Sequence, residues 1–296
     1  MSIDLTAARN FMATHARVLD RRRFELLEGE TDPTGALAAL DGYRNGDAGY
    51  GWGLEPDLRS PESQPGAALQ AFEVFVDIAP ANAPQAAALC DWLESVSRPD
   101  GGLPFALPLG MAAGSGPWWK DADLSTSSLQ ITAVSTAEAL RVAADDPAVA
   151  SHPWLERAIE YCLAEIEGMG EAPFAYALAF SLRFLDALHD TRPGDAERLL
   201  ERLSQFVPAD GKVPVSGGTE DETLHALDIA PSPDRPVRSL FTDEVIAADL
   251  DRLAAGQRDD GGWTVDYLKI SPAGSLDWRG YATVRAIEIL RRNGRG

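Results

Sequence analysis

The chain has little cysteine, lysine or histidine, and each shortage removes a class of function. Two cysteines in 296 residues cannot build a disulfide framework. Cys90 (LCDWLES) and Cys162 (EYCLAEI) each sit inside an amphipathic helical pattern, which predicts two buried thiols. The four histidines, His15, His152, His189 and His225, are scattered without metal-ligand spacing. Basic residues number 26 against 46 acidic ones, a formal charge of -20, and only Lys120, Lys212 and Lys269 are lysines. So negative a surface does not grip phosphate backbones, so nucleic acid is not an expected partner. Acidic polysaccharide is disfavoured on the same ground. No apolar run of about 18 residues occurs, so no transmembrane helix is expected. The N-terminal stretch MSIDLTAARNFMATHARVLDRRRF alternates apolar with charged residues instead of forming a signal-peptide core. These features predict a cytoplasmic protein with an acidic, solvated exterior.

What the chain has in quantity is helical pattern, arranged in repeats. With 45% hydrophobic residues it can fill a core, and residues 1–296 read as one domain. The clearest unit is VIAADLDRLAAGQRDDGGWTVDYLKISPAGSLDWRGYATVRAIEILRR: a helix, a tight turn at Asp260 to Trp263, a loop, and a second helix. Looser copies turn at Asp210 (LLERLSQFVPADGKVPV), Asp100 (LCDWLESVSRPDGGLPF) and Asp47 (LDGYRNGDAGYGW). The turns recur about every 50 residues, except for one doubled gap before Asp210. YCLAEIEGMGEAPFAYALAFSLRFLDAL fills that gap as a degenerate copy. About five helix-turn-loop-helix units and an N-terminal helix around residues 5–27 make about eleven helices.

Helices before the turn, such as AERLLERLSQF, carry one apolar stripe and one charged face, as surface helices do. Helices after it, such as AYALAFSLRFL and SLQITAVSTAEAL, are apolar or small nearly all round. An outer ring of amphipathic helices around an inner ring of buried ones predicts an all-α fold, a single α/α toroid. VPVS at 213–216 is the one short extended piece expected. In the turns, Asp accepts backbone N–H bonds, glycine supplies positive φ, and the following aromatic packs across the helix ends.

Gln257 to Trp263, QRDDGGW, is the full Q-x-x-D-G-G-W motif, and with its looser copies it resembles the toroid repeats of terpenoid cyclases and protein prenyltransferase β-subunits from about residue 34 to 293. The resemblance implies a toroid with a central cavity for an isoprenoid chain. The prenyltransferase zinc set of Asp, Cys and His has no counterpart here, since neither cysteine has the Asp-x-Cys spacing; no metal and no cofactor are expected. Class II terpenoid cyclases carry Asp-x-Asp-Asp-Thr-Ala, whose second Asp is the proton donor. In WWKDADLSTSS, Asp121 and Asp123 match the first and third positions, while Leu124 and Ser125 depart from the fourth and fifth. That makes Asp123 the candidate acid and Asp121 its charged neighbour; the alternative for Asp123 is a helix N-cap. Trp118 and Trp119 are candidates for lining the cavity, or for closing the loop against the core.

The loop GWGLEPDLRSPESQP stands in the same place in its unit, as do SGGTEDET and SPAGSLDWRG, and each precedes an expected inner helix. These loops should gather on one rim of the toroid. Trp52, Glu55, Asp57 and Arg59 are candidate substrate-binding residues there, with Glu62, Lys120, Glu222 and Asp277 on the same rim. Arg59 pairing with Glu55 or Asp57 would give a salt-bridged rim instead, and Ser63 is expected to cap the next helix. The functional expectation is an isoprenoid-binding toroid that protonates and cyclises a prenyl chain. The alternatives are a non-catalytic toroid serving a partner protein or a lipid, a partner chain completing the site, and a carbohydrate-active lyase-type toroid.

Overall fold

The computed structural model describes residues 3–170, 172–267 and 269–295. The chain is all-α: the described residues form fourteen α-helices and one antiparallel pair of two-residue strands. The helices are α1 (Leu5–His15), α2 (Val18–Leu27), α3 (Pro33–Asp41), α4 (Pro65–Asp77), α5 (Pro84–Val96), α6 (Pro117–Lys120) and α7 (Leu129–Ala143). They continue with α8 (Pro147–Ala150), α9 (Pro153–Glu167), α10 (Ala175–Leu188), α11 (Pro193–Ser204), α12 (Ala226–Ile229), α13 (Asp243–Ala255) and α14 (Pro272–Arg292). Three of these, α6, α8 and α12, are single turns of four residues, leaving eleven longer helices. The strands are β1 (Val213–Pro214), the first half of the VPVS stretch, and β2 (Thr223–Leu224).

Helix starts are written locally. Eight helices open on proline: α3, α4, α5, α6, α8, α9, α11 and α14. Proline's fixed φ suits the first turn, and the N–H it lacks has no helical partner there. Asp4, Asp32, Ser128, Asp146, Thr242 and Ser271 accept first-turn amides as side-chain caps. Ser128, not Asp123, caps α7. At α4 the N-cap is Gln64, with no side-chain cap, and Ser63 instead donates to Asp47 Oδ1 at 2.7 Å.

The four Asp turns share one geometry. The amide two residues after each Asp donates to its Oδ1: Gly49 at 3.0, Gly102 at 3.0, Lys212 at 3.1 and Gly262 at 3.2 Å. The residue in between is left-handed every time, with φ of 71° at Ala48, 94° at Gly101, 71° at Gly211 and 93° at Gly261. In two turns the following amide docks onto a threonine of the next long helix: Leu103 N–H donates to Thr132 Oγ1 (2.8 Å) and Trp263 N–H to Thr283 Oγ1 (3.0 Å). The degenerate turn GMGEAPF includes Glu171, which lies outside the described residues.

Helix packing closes on itself. Helix α2 lies against α4, α4 against α7, α7 against α10, α10 against α12, α12 against α13, α13 against α14, and α14 returns to α1 and α2. One continuous hydrophobic cluster runs through them. The last turn joins the chain ends: Gln257 accepts from Asp4 N–H and donates to Asp4 O, both at 2.8 Å. On α7 every residue from Ile131 to Leu140 is buried, as on the inner helices expected from composition, whereas α11 buries only one stripe.

Two elements differ from the sequence reading. The N-terminal helix expected over 5–27 breaks at Ala16 and Arg17 into α1 and α2, so it forms a hairpin. Arg17 takes an extended backbone there, and its Nη1 donates to Leu54 O at 2.6 Å. After SGGTEDET the expected inner helix is only the turn α12, followed by a 3₁₀ turn (Pro236–Leu240). Pro231, Pro233 and Pro236 remove the amides a longer helix would need.

Candidate functional site

Glu55 and Asp57 come from the loop between α3 and α4, and both are enclosed, at 7% and 3% exposure. Buried Leu54 and Leu58 anchor the loop. Three distant segments clamp its backbone. Arg17 holds Leu54 O; Gly116 N–H donates to Asp57 O at 2.8 Å; and Pro56 O abuts Gly274 in the first turn of α14, where an added Cβ would lie 2.7 Å from it. Arg59 N–H donates to Ser115 Oγ at 3.0 Å. The carboxylates are therefore dry because α2, α14 and the segment before α6 meet over them.

Gln70, on α4, donates from Nε2 to Glu55 Oε2 at 3.3 Å. Burial first, then the charge of Asp57, pushes the Glu55 carboxyl up to about 8. Burial pushes Asp57 up to about 6, with the Trp278 indole N–H and Arg59 pulling the other way. Asp57 thus ionises first, and Glu55 must then ionise in a buried site beside an anion. Between about pH 6 and 8 the site holds one carboxylate and one carboxylic acid.

Aromatic side chains cluster on α14, in the loop before it, and on α10. Trp278, on α14, packs edge-to-face on Tyr267 (5.0 Å between centroids) and on Tyr281 (5.5 Å). On α10, Tyr176 packs on Phe174 and Phe180. The Tyr267 phenol is raised by burial and by the charges of Glu55 and Asp57, and the Tyr176 phenol by burial and by its bond to Glu222. Tyr176 OH donates to Glu222 Oε1 at 2.8 Å, and Tyr281 OH donates to Glu73 Oε1 at 2.8 Å. Asp57 Oδ1 and Gln70 Oε1 are buried with no hydrogen-bond partner, and the buried Trp278 Nε1 meets only the Asp57 carboxylate, short of full hydrogen-bond geometry.

Further along the same helices lies a charge network. Arg23 pairs with Asp77 (2.5 Å) and Glu73 (3.5 Å), Arg183 and Arg141 with Glu138 (2.6 and 2.7 Å), and Arg285 with Glu288 (2.8 Å). Burial opposes the ionisation of Glu138, but Arg141 and Arg183 hold its carboxyl down at about 2. Those on α2, α4, α7 and α14 leave a space of about 30 Å³ between them. That space has room for one water.

The other sequence candidates are placed elsewhere. Asp123 is exposed; its carboxylate accepts from Ser125 N–H (2.8 Å), Ser125 Oγ (2.6 Å) and Thr126 Oγ1 (3.1 Å), and these bonds lower its pKa. It faces solvent rather than an apolar space, and it is not a helix cap. Asp121 is exposed at the end of α6. Trp119 stacks on Phe105 (4.6 Å) and covers Gly66 in the first turn of α4, closing the loop onto the core. Trp118 is partly exposed. Trp52 is 59% exposed beside an open cleft of about 400 Å³, its Nε1 donating to Asn45 Oδ1 at 2.8 Å. Arg59 pairs with Asp277 at 2.7 Å, not with Glu55 or Asp57.

Sequence reasoning passed over Gln70, Trp278, Tyr267 and Tyr176. For Gln70 a signal existed: a polar residue inside the otherwise apolar PGAALQAF. Cys90 and Cys162 are buried free thiols. Asp91, Glu94 and His152 form a surface group with ligand atoms within 4.8 Å of one another. It does not fit a metal. His152 Nδ1 accepts from Trp154 N–H (3.1 Å), so in the neutral ring Nε2 carries the proton and donates to Asp91, and Glu94 is paired with Arg157 at 2.6 Å. The chain matches no protein-family model and no curated protein.

Proposed function

We propose that this chain is an α/α toroid of the terpenoid cyclase and prenyltransferase kind, which binds an isoprenoid chain within its inner helices and begins a cyclisation by proton transfer. The acid in this reading is Glu55, with Asp57 as the carboxylate that holds it protonated. Asp121 and Asp123 take no part. The observation that carries the reading is a buried carboxyl, protonated near neutral pH, whose neighbour Asp57 meets the Trp278 indole, a ring packed edge-to-face on Tyr267 and Tyr281. Aromatic faces stabilise a carbocation without quenching it, and a carboxylic acid within a dry site can deliver the proton that creates one. The closed circuit of helices and the shared geometry of the Asp turns support the toroid.

The test is turnover of a panel of prenyl alcohols, polyprenes and prenyl diphosphates at pH 7. Wild type and Asp123→Asn should convert at least one of them equally well. Glu55→Gln should lose at least about 100-fold, the usual range for a general acid. Retained activity in Glu55→Gln would remove Glu55 from the mechanism. Binding without turnover by the wild type would favour a non-catalytic toroid that carries a lipid or serves a partner protein.

A further inference from the structure

The large apolar side chains that the described residues expose, from 37% at Trp118 to 60% at Met111, all open or precede α2, α4, α7, α10 or α14. Val18 begins α2, Trp52 precedes α4, and Leu276 lies near the start of α14. Met111, Trp118 and Leu124 precede α7, and Phe174 precedes α10. None lies on α5, α9, α11 or α13, the amphipathic helices of the outside. Bonds and ring contacts tie the exposed segments into one end of the molecule. Arg17 holds Leu54 O (2.6 Å), Arg59 N–H donates to Ser115 Oγ (3.0 Å), and the Arg59 guanidinium pairs with Asp277 (2.7 Å). From there Trp278 packs on Tyr267 (5.0 Å), Thr219 Oγ1 donates to Asp266 O (3.0 Å), and Tyr176 OH donates to Glu222 (2.8 Å). A single exposed apolar side chain is ordinary, but confinement of all of them to one end marks a surface built for contact.

Charge selects what covers it. In the segments at 107–128, 216–222 and 264–277 the exposed carboxylates are Asp121, Asp123, Glu220, Asp221 and Asp266, and the exposed cations are Lys120 and Lys269. We infer that this end is the docking face for a partner protein that presents apolar side chains flanked by lysine and arginine. Opposite charge around the contact steers and orients such a partner, while the apolar side chains supply its anchors. Other occupants meet repulsion. A second copy related by a two-fold axis would bring the same carboxylates against themselves, and an anionic bilayer would set lipid phosphates against them. The inference stands apart from the isoprenoid reading, because it uses only the outer surface of this end and no ligand within it.

The experiment is fluorescence anisotropy of a labelled model helix of leucine and lysine, apolar on one face, titrated with the full chain at physiological salt. A leucine and glutamate helix of the same pattern is the control. The lysine helix should bind at least about tenfold more tightly than the control. Met111→Ser with Phe174→Ser removes two anchors and no charge, and should weaken binding about tenfold. Leu124→Ser should act in the same direction, and all three positions are exposed, so urea midpoints should match wild type. Glu220→Gln with Asp221→Asn should weaken binding about threefold, whereas Glu165→Gln with Glu201→Gln, which takes the same charge from the exposed faces of α9 and α11, should leave it unchanged. Equal weakening by the two charge pairs, or none in the serine variants, would mean attraction to the negative chain as a whole and would overturn the inference. Absence of binding by the lysine helix would overturn it too. Flotation of the chain with neutral phosphatidylcholine vesicles, or a sedimenting dimer that the serine variants abolish, would overturn it in favour of a bilayer or a second copy.

Discussion

Glu55→Gln should make the protein more stable in alkaline solution and leave it unchanged in acid. The carboxyl titrates near 4.5 in the unfolded chain and at about 8 in the fold. Below 4.5 both states hold the proton, and Glu55 contributes no pH dependence. Between 4.5 and about 8 the unfolded chain releases it while the folded chain retains it, so folding stability falls as pH rises through that window. At about 1.4 kcal/mol per pH unit the full loss has a ceiling of about 5 kcal/mol. Water entry and relaxation of the loop reduce this, and about 2 kcal/mol is the expected measured value. Glutamine keeps the shape of the side chain, and its amide oxygen accepts the Gln70 bond. Urea melts at pH 5, 7 and 9 read the effect directly, because every other titrating group contributes equally to both proteins unless it touches Glu55. The variant should equal wild type at pH 5 within about 0.5 kcal/mol and exceed it by about 2 kcal/mol at pH 9. Parallel curves for the two proteins over the whole range would refute the claim that Glu55 is held protonated by burial.

The repeat turns make two further predictions. Ala48 occupies the left-handed position that glycine fills in the other three Asp turns, with φ of 71°, so Ala48→Gly should stabilise the protein by about 1 kcal/mol, measured by urea melts at neutral pH. The opposite change at the last turn, Gly261→Ala, would drive a Cβ into the backbone of Ala7; it should cost more than about 3 kcal/mol and free α1, seen as faster amide exchange at Ala8 and Phe11.

The turns were legible because their information is local. An Asp whose carboxylate meets the amide two residues on, with glycine or alanine between, needs no distant partner to be recognised. Arg17, Gly116 and Gly274 were not legible as partners of the loop at 54–59, since nothing in their own surroundings marks them. Arg59 illustrates the limit. Its nearest acidic residues in sequence are Asp57 and Glu55, yet it bonds Asp277, whose helix begins more than 200 residues later.

The same division holds for the molecule. Sequence alone determined the all-α class, the proline-led start of α4 and the Asp turns, because propensity, capping and turn chemistry act over a few residues. Tertiary structure alone decided that residues 5–27 are a hairpin, since that stretch contains no glycine or proline and breaks where Arg17 reaches Leu54. It also decided which of two similar acidic loops is enclosed. WWKDADLS and GLEPDLRS both precede a long buried helix with two carboxylates in each. One pair lies in water, and its Asp123 is bonded by its own neighbours; the other is sealed by α2, α14 and the segment before α6. A carboxyl's proton affinity follows its surroundings, and those surroundings are assembled from segments that the sequence keeps far apart.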